Sequence, residues 1–392
     1  MAVCRREKVM VVPASKSSRL RSLDVFRGIA IAGMLLVNKA GLPDEVYPWL
    51  AHADWNGCTF ADLVFPFFLF VVGVAMAFSL AKYTADHQPT KAVYWRILRR
   101  GLVLFALGLV LNGFWDYDFS TIRIMGVLQR ISLAYIATAL ITLKLPRKVQ
   151  WGVAAFLLIG YWIALAAIPV PEYGAGELTR VGNFGAYADR LVIPSVHLYA
   201  GDQFENMGDP EGLFSTLPAI ATTLLGYFTG AWLRATAVIK GVRTSGQSTT
   251  MALFGLSSLV VGQLWSIGFP INKKLWSSSY VLFTAGVALL LLAACFELIE
   301  VRGKQKWGRP FEVLGLNSIF VFVASVLVIK LLFKTNIGSG DEAPSTYTWL
   351  YENVFLSWSE PATAGFLFAF GTLLFWWLVA YGLHWRRWYI TV

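Results

Sequence analysis

The chain has 392 residues, 57% of them hydrophobic and 14% charged, with a formal net charge of +10 and a mean hydropathy of +0.59. Soluble domains average roughly 45–50% apolar and about 25% charged residues, so an ordinary cytosolic enzyme, a disordered chain and a nucleic-acid-binding module are excluded. The basic surplus is therefore read first as a report on membrane topology, and no nucleic-acid partner is expected.

A hydrocarbon core of about 30 Å takes roughly 20 helical residues. Ten apolar runs of that order can be drawn, at 22–42, 59–81, 97–115, 124–143, 150–169, 213–234, 251–269, 277–299, 311–333 and 363–384. They predict an all-α polytopic membrane protein with about ten transmembrane helices. More than twenty mostly polar residues precede the first run, a poor signal peptide. Basic residues alternate between connections: of the 33 Lys and Arg, 23 fall on one side and 8 on the other, with Arg27 and Arg130 in the membrane. The positive-inside rule then places both termini in the cytoplasm. The expected organisation is a basic tail over 1–21, a membrane domain over 22–384 and a C-terminal tail over 385–392. The longest connection, 170–212, lies outside and is rich in Gly, aromatic and acidic residues; loops of that length are usually functional or mobile. No internal repeat is visible, so a transporter built on inverted halves gains no support. Cys4, Cys58 and Cys295 are far apart and lack metal-ligand spacing, so neither a structural disulfide nor a metal site is expected.

A charge within a spanning helix costs about 2.5–3.5 kcal/mol on insertion scales, so each one is a functional-site candidate. Asp24 and Arg27 open the first run, either as an i,i+3 ion pair or with Arg27 facing a cavity and holding an anion. Asn38 lies about three turns beyond Arg27, as interhelical glue or as a donor to a substrate carbonyl. Tyr47, Trp49 and Trp55 suit an outer membrane interface. His52 sits among them, where Asp54 and Asn56 offer partners for one ring nitrogen and leave the other free to accept a proton. Asp62 stands four residues before Pro66, whose missing N–H leaves a carbonyl that needs another partner. Arg123, Gln129 and Arg130 open the fourth run, so a carboxylate such as Asp62 and a guanidinium can meet within the bundle. Asp209 and Glu211 look like acidic residues at a helix start. Asn272-Lys273-Lys274-Leu275-Trp276 and Gly315-Leu316-Asn317-Ser318 are further polar islands.

In order, RLRSLDVFRGIAIAGMLLVN, HADWNGCTFADLVFPFFLFVVG, IRIMGVLQRISLAY, DPEGLFSTLPAI and FPINKKLW are similar to the heparan-α-glucosaminide N-acetyltransferase family and its bacterial relatives, from residue 19 to about residue 320. The resemblance implies an enzyme that takes an acetyl group from cytoplasmic acetyl-CoA and delivers it to the amine of a terminal glucosamine across the membrane. His52 matches the family's catalytic histidine and Asn38 an asparagine close to the thioester, with Asp54 beside them as a third catalytic candidate. Attack of an amine on a thioester needs a base and donors for the developing oxyanion, which His52 and Asn38 can supply. The CoA phosphates favour basic side chains at the cytoplasmic mouth, where Arg19, Arg21, Arg99 and Arg100 stand. Asp24, Arg27, Asp62, Gln129, Arg130, Asp209 and Glu211 are candidates for lining the substrate path. Expected partners are an amino-sugar or glycan acceptor and membrane lipids, with homodimerisation open. The membrane is the inner one for a bacterial chain and a lysosomal-type one for a eukaryotic chain. O-acetylation of a cell-envelope glycan and transport of a sugar or lipid-linked sugar remain alternatives, and so does an acetyl-histidine intermediate.

Overall fold

The computed structural model describes residues 20–38, 46–83, 89–240, 243–338 and 343–390. Among these residues the regular structure is helical, with two isolated β-bridges and no strand. The helices are α1 (Arg21–Val37), α2 (Phe60–Ser79), α3 (Lys91–Gly113), α4 (Val127–Lys144), α5 (Arg147–Ala167), α6 (Phe184–Val192) and α7 (Thr216–Lys240). They continue as α8 (Ser245–Trp265), α9 (Ser278–Phe296), α10 (Arg309–Leu316), α11 (Ser318–Lys334), α12 (Thr346–Leu350) and α13 (Pro361–Trp385).

Five of these helices are long and apolar enough to cross a bilayer: α2, α4, α5, α9 with its π-helical continuation to Val301, and α13. The remaining expected runs are also helical, but more polar or shorter. The first, α1, has 17 residues and carries Asp24 and Arg27; α3 opens on Lys91, Arg96, Arg99 and Arg100. The run expected as a single span over 311–333 is broken at Asn317 into α10 and α11, which meet at a bend of 65° and together make a sixth candidate span. Asn317 is fully buried at that break. Its amide donates to the Trp388 carbonyl at 3.2 Å and its carbonyl accepts from Ile390 N–H at 2.9 Å, so a polar side chain bonds tail backbone where the helix is interrupted. The connection 170–212 has its own short helix, α6, and α12 with the π-helical turn that follows was not expected from the run lengths.

The second helix is apolar all round, the pattern of a helix buried on every side, and it sits at the centre. Phe67, Phe70 and Val74 pack with α1, α7, α8 and α9; Met76 and Ala77 pack with α3, α4, α5 and α7; Val64 joins α10, α11 and α13. Small residues let backbones touch, as is usual between membrane helices. A Cβ on Gly73 would lie 1.9 Å from the Thr223 carbonyl oxygen and one on Gly226 2.1 Å from that of Phe70, so α2 and α7 meet along this seam. The same exchange joins α1 to α10, where a Cβ on Gly315 would lie 2.0 Å from the Asp24 carbonyl oxygen.

Several polar groups inside the bundle are partnered across helices. The carbonyl of Asp62, orphaned by Pro66, accepts from the Tyr280 hydroxyl at 2.5 Å, as the position of the proline demands. Lys330 of α11 donates to the Leu111 carbonyl at 2.6 Å and to that of Phe114 at 3.3 Å, at the C-terminal end of α3. Glu300 receives Ser22 N–H at 3.1 Å at the start of α1 and pairs with Arg243.

Overpacking a tight site costs about 1–3 kcal/mol, so Gly226→Ala is expected to lower the melting temperature of the purified protein by several degrees. Gly152→Ala, where an added Cβ meets nothing within 4 Å, should leave it unchanged or slightly raised. Thermal unfolding of both variants in one detergent checks the contrast.

Candidate active site

The site is built where the chain turns from the 46–59 segment into α2. Thr59 caps α2, and Asp62 lies in its first turn. Asp62 Oδ2 accepts from Ala53 N–H at 3.0 Å, Thr59 N–H at 3.1 Å and the Thr59 hydroxyl at 3.1 Å. Its other oxygen, Oδ1, lies 2.8 Å from His52 Nδ1. The carboxylate is buried, with 1% of its side chain exposed, whereas 41% of the His52 side chain is exposed. An ionised carboxylate only accepts, so the contact between them is a hydrogen bond that His52 Nδ1 donates to Asp62 Oδ1.

Lys273, from the connection between α8 and α9, completes the cluster. Its Nζ lies 3.4 Å from Asp62 Oδ1, 3.1 Å from His52 Nδ1 and 3.5 Å from Nε2. Burial draws its ammonium below the usual lysine range, while Asp62 and Glu211 work against that shift. The connection is held rigidly: Asn272, fully buried, donates to Asn56 Oδ1 at 3.1 Å and accepts Leu275 N–H at 2.8 Å. Gly57 turns at φ 115°, where a side chain is disfavoured, and its N–H donates to the Ile271 carbonyl at 2.8 Å.

The expected ring partners of His52 therefore need correction. Asn56 is taken by Asn272, and Asp54 accepts from Arg180 at 2.6 Å. The turn at Gly57 brings the more distant Asp62 under the ring instead. The connection 170–212 closes over this loop: the Arg180 guanidinium lies 5.0 Å from the Trp55 ring, and Trp55 Nε1 donates to the Leu178 carbonyl at 3.0 Å.

Other expected pairings are also redistributed. Asp62 does not meet Arg130. The fully buried Arg130 guanidinium contacts the Ser215 hydroxyl and lies 4.8 Å from the Trp276 ring, and its Nε and Nη1 have no hydrogen-bond partner among the described residues. Gln129 is buried too, its Nε2 likewise without a partner. Asp209 and Glu211 do not open a helix, since α7 begins at Thr216. They bind Arg123 instead, at 2.8 Å from Nε to Asp209 Oδ2 and 2.6 Å from Nη2 to Glu211 Oε2.

Along α2 from Asp62, a cavity of about 280 Å³ opens among Arg27, Phe68, Val72, Arg100, Tyr135 and Ile390. Arg27 pairs with Asp24 at 3.3 Å and also lines this cavity. Arg100 lies 5.1 Å above the Tyr135 ring. Arg21 is engaged by Gln305 and lies 3.8 Å from Glu312, and Arg99 is exposed. Arg19 lies outside the described residues. Asn38 stands at the C-terminus of α1, exposed, its N–H bonded to the Met34 carbonyl at 2.9 Å. Among the described residues no group of three His, Cys, Asp or Glu is placed to hold a metal ion.

A histidine hydrogen-bonded to a buried carboxylate, with a lysine beside both, stands at the start of a central helix in an all-helical fold that has five helices long and apolar enough to cross a membrane among the described residues. Residues 19–264 match the family described as heparan-alpha-glucosaminide N-acetyltransferase, catalytic, and the chain belongs to that family. It is 30% identical to the heparan-alpha-glucosaminide N-acetyltransferase of Homo sapiens over 353 residues, which are 78% of this chain and 52% of the relative. To the Mus musculus protein of the same name it is 30% identical over 359 residues, 79% and 53% of the two chains. The chain spans about half the length of these curated relatives.

Asp189 of α6 gives the 170–212 connection a pH response. Burial pushes its carboxyl up to about 7, against the bond at 2.8 Å from Phe214 N–H. The folded state therefore holds this proton more tightly than the unfolded state. The resulting stabilisation is full below the unfolded carboxylate pKa of about 3.9 and is lost as pH rises toward about 7. Asp189→Asn is expected to flatten that part of the profile, as measured by melting temperature at pH steps across the window.

Proposed function

We propose that the chain is a membrane acetyltransferase that moves the acetyl group of cytoplasmic acetyl-CoA to the amine of a glucosamine-type sugar at the outer face. The observation that carries this reading is the pairing of His52 with Asp62 at one end of α2 while a cavity lined by Arg27 and Arg100 opens further along the same helix. Phe68 and Met76, which line the cavity, stand six and fourteen residues after Asp62. At 1.5 Å per residue that is about 9 and 21 Å along the axis.

In this reading His52 Nε2 accepts the proton of the attacking amine while Asp62 holds Nδ1–H and balances the imidazolium. The amine nitrogen bonds to the thioester carbon, the carbon–sulfur bond breaks, and CoA leaves as the thiolate. Asn38 is assigned the donor to the thioester oxygen. Arg27 and Arg100, which line the cavity, serve the anionic CoA, and the basic residues Arg19, Arg21 and Arg99 are assigned to it from their places in the sequence beside the first and third runs. The topology that suits this chemistry has ten crossings and both termini in the cytoplasm, with the 170–212 connection facing the acceptor. The asymmetry of 23 to 8 basic residues supports it.

General-base catalysis contributes about 10²–10⁴-fold. His52→Ala is therefore expected to lower CoA release with a saturating amino sugar by a factor in that range while acetyl-CoA affinity, measured by calorimetry, persists. Asn38→Ala is expected to cost about 10²–10³-fold through a lost oxyanion donor. Mass spectrometry of products from a panel of amino sugars identifies the acceptor. A His52→Ala protein that turns over within a few-fold of wild type would remove the base from the scheme.

For topology, a cysteine at Ala175 in a Cys-free background is expected to react with an impermeant thiol reagent in intact cells, and one at Ser245 is not. Reverse labelling would overturn the cross-membrane direction of transfer.

A further inference from the structure

One wall of the cavity lined by Arg27 and Arg100 is not made by a helix. Its other lining residues stand on α1, α2, α3, α4, α10 and α11, whereas Ile390 belongs to the segment that follows α13. The chain is turned toward the cavity at Arg387, whose φ of 58° lies in the left-handed region that favours glycine. Trp388 N–H bonds back to the Leu383 carbonyl and Arg387 N–H to that of His384, both at 2.9 Å, which closes the end of α13 and sends the segment off its axis. A residue with a side chain keeps such a conformation where its surroundings hold it there.

Asn317 supplies the hold. It stands at the N-cap of α11, where an asparagine ordinarily accepts from the N–H groups of its own first turn, yet it makes no side-chain cap bond. Fully buried, it spends both ends of its amide on the segment after α13: the nitrogen donates to the Trp388 carbonyl at 3.2 Å and the oxygen accepts from Ile390 N–H at 2.9 Å. Its neighbours Leu316, Ser318 and Ile319 line the cavity together with Ile390. The break between α10 and α11 thus carries both the clamp and part of the wall that the clamped segment completes.

We propose that Asn317 is a positioning residue for the acetyl donor: by clamping the backbone at 388 and 390 it sets the Ile390 side chain as the closing wall of the cavity, against the uncharged pantetheine–acetyl arm of acetyl-CoA. The proposal rests on the reading of this cavity as the donor site. Arginines suit the phosphates of such a donor and leave its long neutral arm to be held by apolar contact. Phe68, Ile131 and Phe322 offer that contact from packed helices, and Ile390 adds it from a segment held by two hydrogen bonds to one side chain. Ile390 is 44% exposed, so it stands at the rim, where release of the segment opens the cavity and leaves the helices packed.

The test uses the full chain in detergent, with acetyl-CoA affinity read by calorimetry and donor KM and kcat read with saturating glucosamine. Asn317→Ala and Ile390→Ala are each expected to raise the Kd and KM for acetyl-CoA by about 5- to 10-fold, with kcat within a few-fold of wild type. Combining them is expected to add little to the larger single effect, because Asn317 acts through the residue at 390. The place of the segment is read without turnover by Ile390→Cys in a Cys-free background. Its reaction with a thiol reagent is expected to speed up several-fold when Asn317→Ala is added, and to slow when acetyl-CoA is added to the protein that keeps Asn317. A residue that only braces the helix break would lower kcat and melting temperature with donor KM unmoved, and would leave labelling at 390 unchanged; either result overturns the proposal. Ile390→Ala, at a rim position, keeps the affinity readout if Asn317→Ala is poorly recovered. Wild-type protein that binds acetyl-CoA, with the same affinity in every variant, overturns the clamp alone. Wild-type protein that binds no acetyl-CoA overturns the reading of the cavity, and this proposal with it.

Discussion

A carboxylate that is 1% exposed inside the first turn of a central helix has to be satisfied, and the structure around Asp62 is organised by that requirement. Leaving a buried charge unpaired costs far more than any single contact returns. Asp62 draws the N–H groups of Ala53 and Thr59, the Thr59 hydroxyl, His52 and Lys273 around its two oxygens. Each of these donors ties down a different stretch of chain. The segment before α2 folds back over its own helix, and the connection between α8 and α9 is brought in from the side. The catalytic geometry proposed here and the local fold are thus consequences of one buried charge.

The same demand explains what was legible in the sequence. Long apolar runs such as 59–81 and 363–384 fall on single helices, because length and composition suffice when every side faces lipid or other helices. The Pro66 offset pointed to an orphaned carbonyl, and Tyr280 supplies the partner, although nothing in local spacing identifies a tyrosine more than two hundred residues away. The bend at Asn317 was hidden because the tail residues that bond it, Trp388 and Ile390, lie far along the chain. His52 stood out in the sequence through its polar surroundings, but its nearest acidic neighbour is not its partner. Asp54 goes to Arg180 because the outer connection folds back over the loop. Lys273 was visible only as one residue of a polar island, since a lysine acquires meaning from what it meets in three dimensions.

Two kinds of order coexist in the bundle. Backbone contact at Gly73 and Gly226 makes the seam between α2 and α7 depend on shape. The loops around the 170–212 connection depend on charge instead, with Arg123 joined to Asp209 and Glu211, and Arg180 to Asp54. Shape-dependent contacts are insensitive to salt and pH, and of these ion pairs only Arg180–Asp54, whose carboxylate is exposed, is open to screening by salt.

The ammonium of Lys330 carries a consequence for how the protein is made. A lysine in a 17-residue apolar helix penalises insertion of that helix by itself, by about 2.5–3.5 kcal/mol if it lies near the centre of the bilayer. The carbonyls of Leu111, Asn112 and Phe114 that receive it lie at the C-terminal end of α3 and in the residue that follows it, some two hundred residues earlier in the chain. The late helix is thus matched to the early one: the acceptors that satisfy its ammonium exist only where the end of α3 stands, so the two ends of the chain's helical order are tied by one side chain.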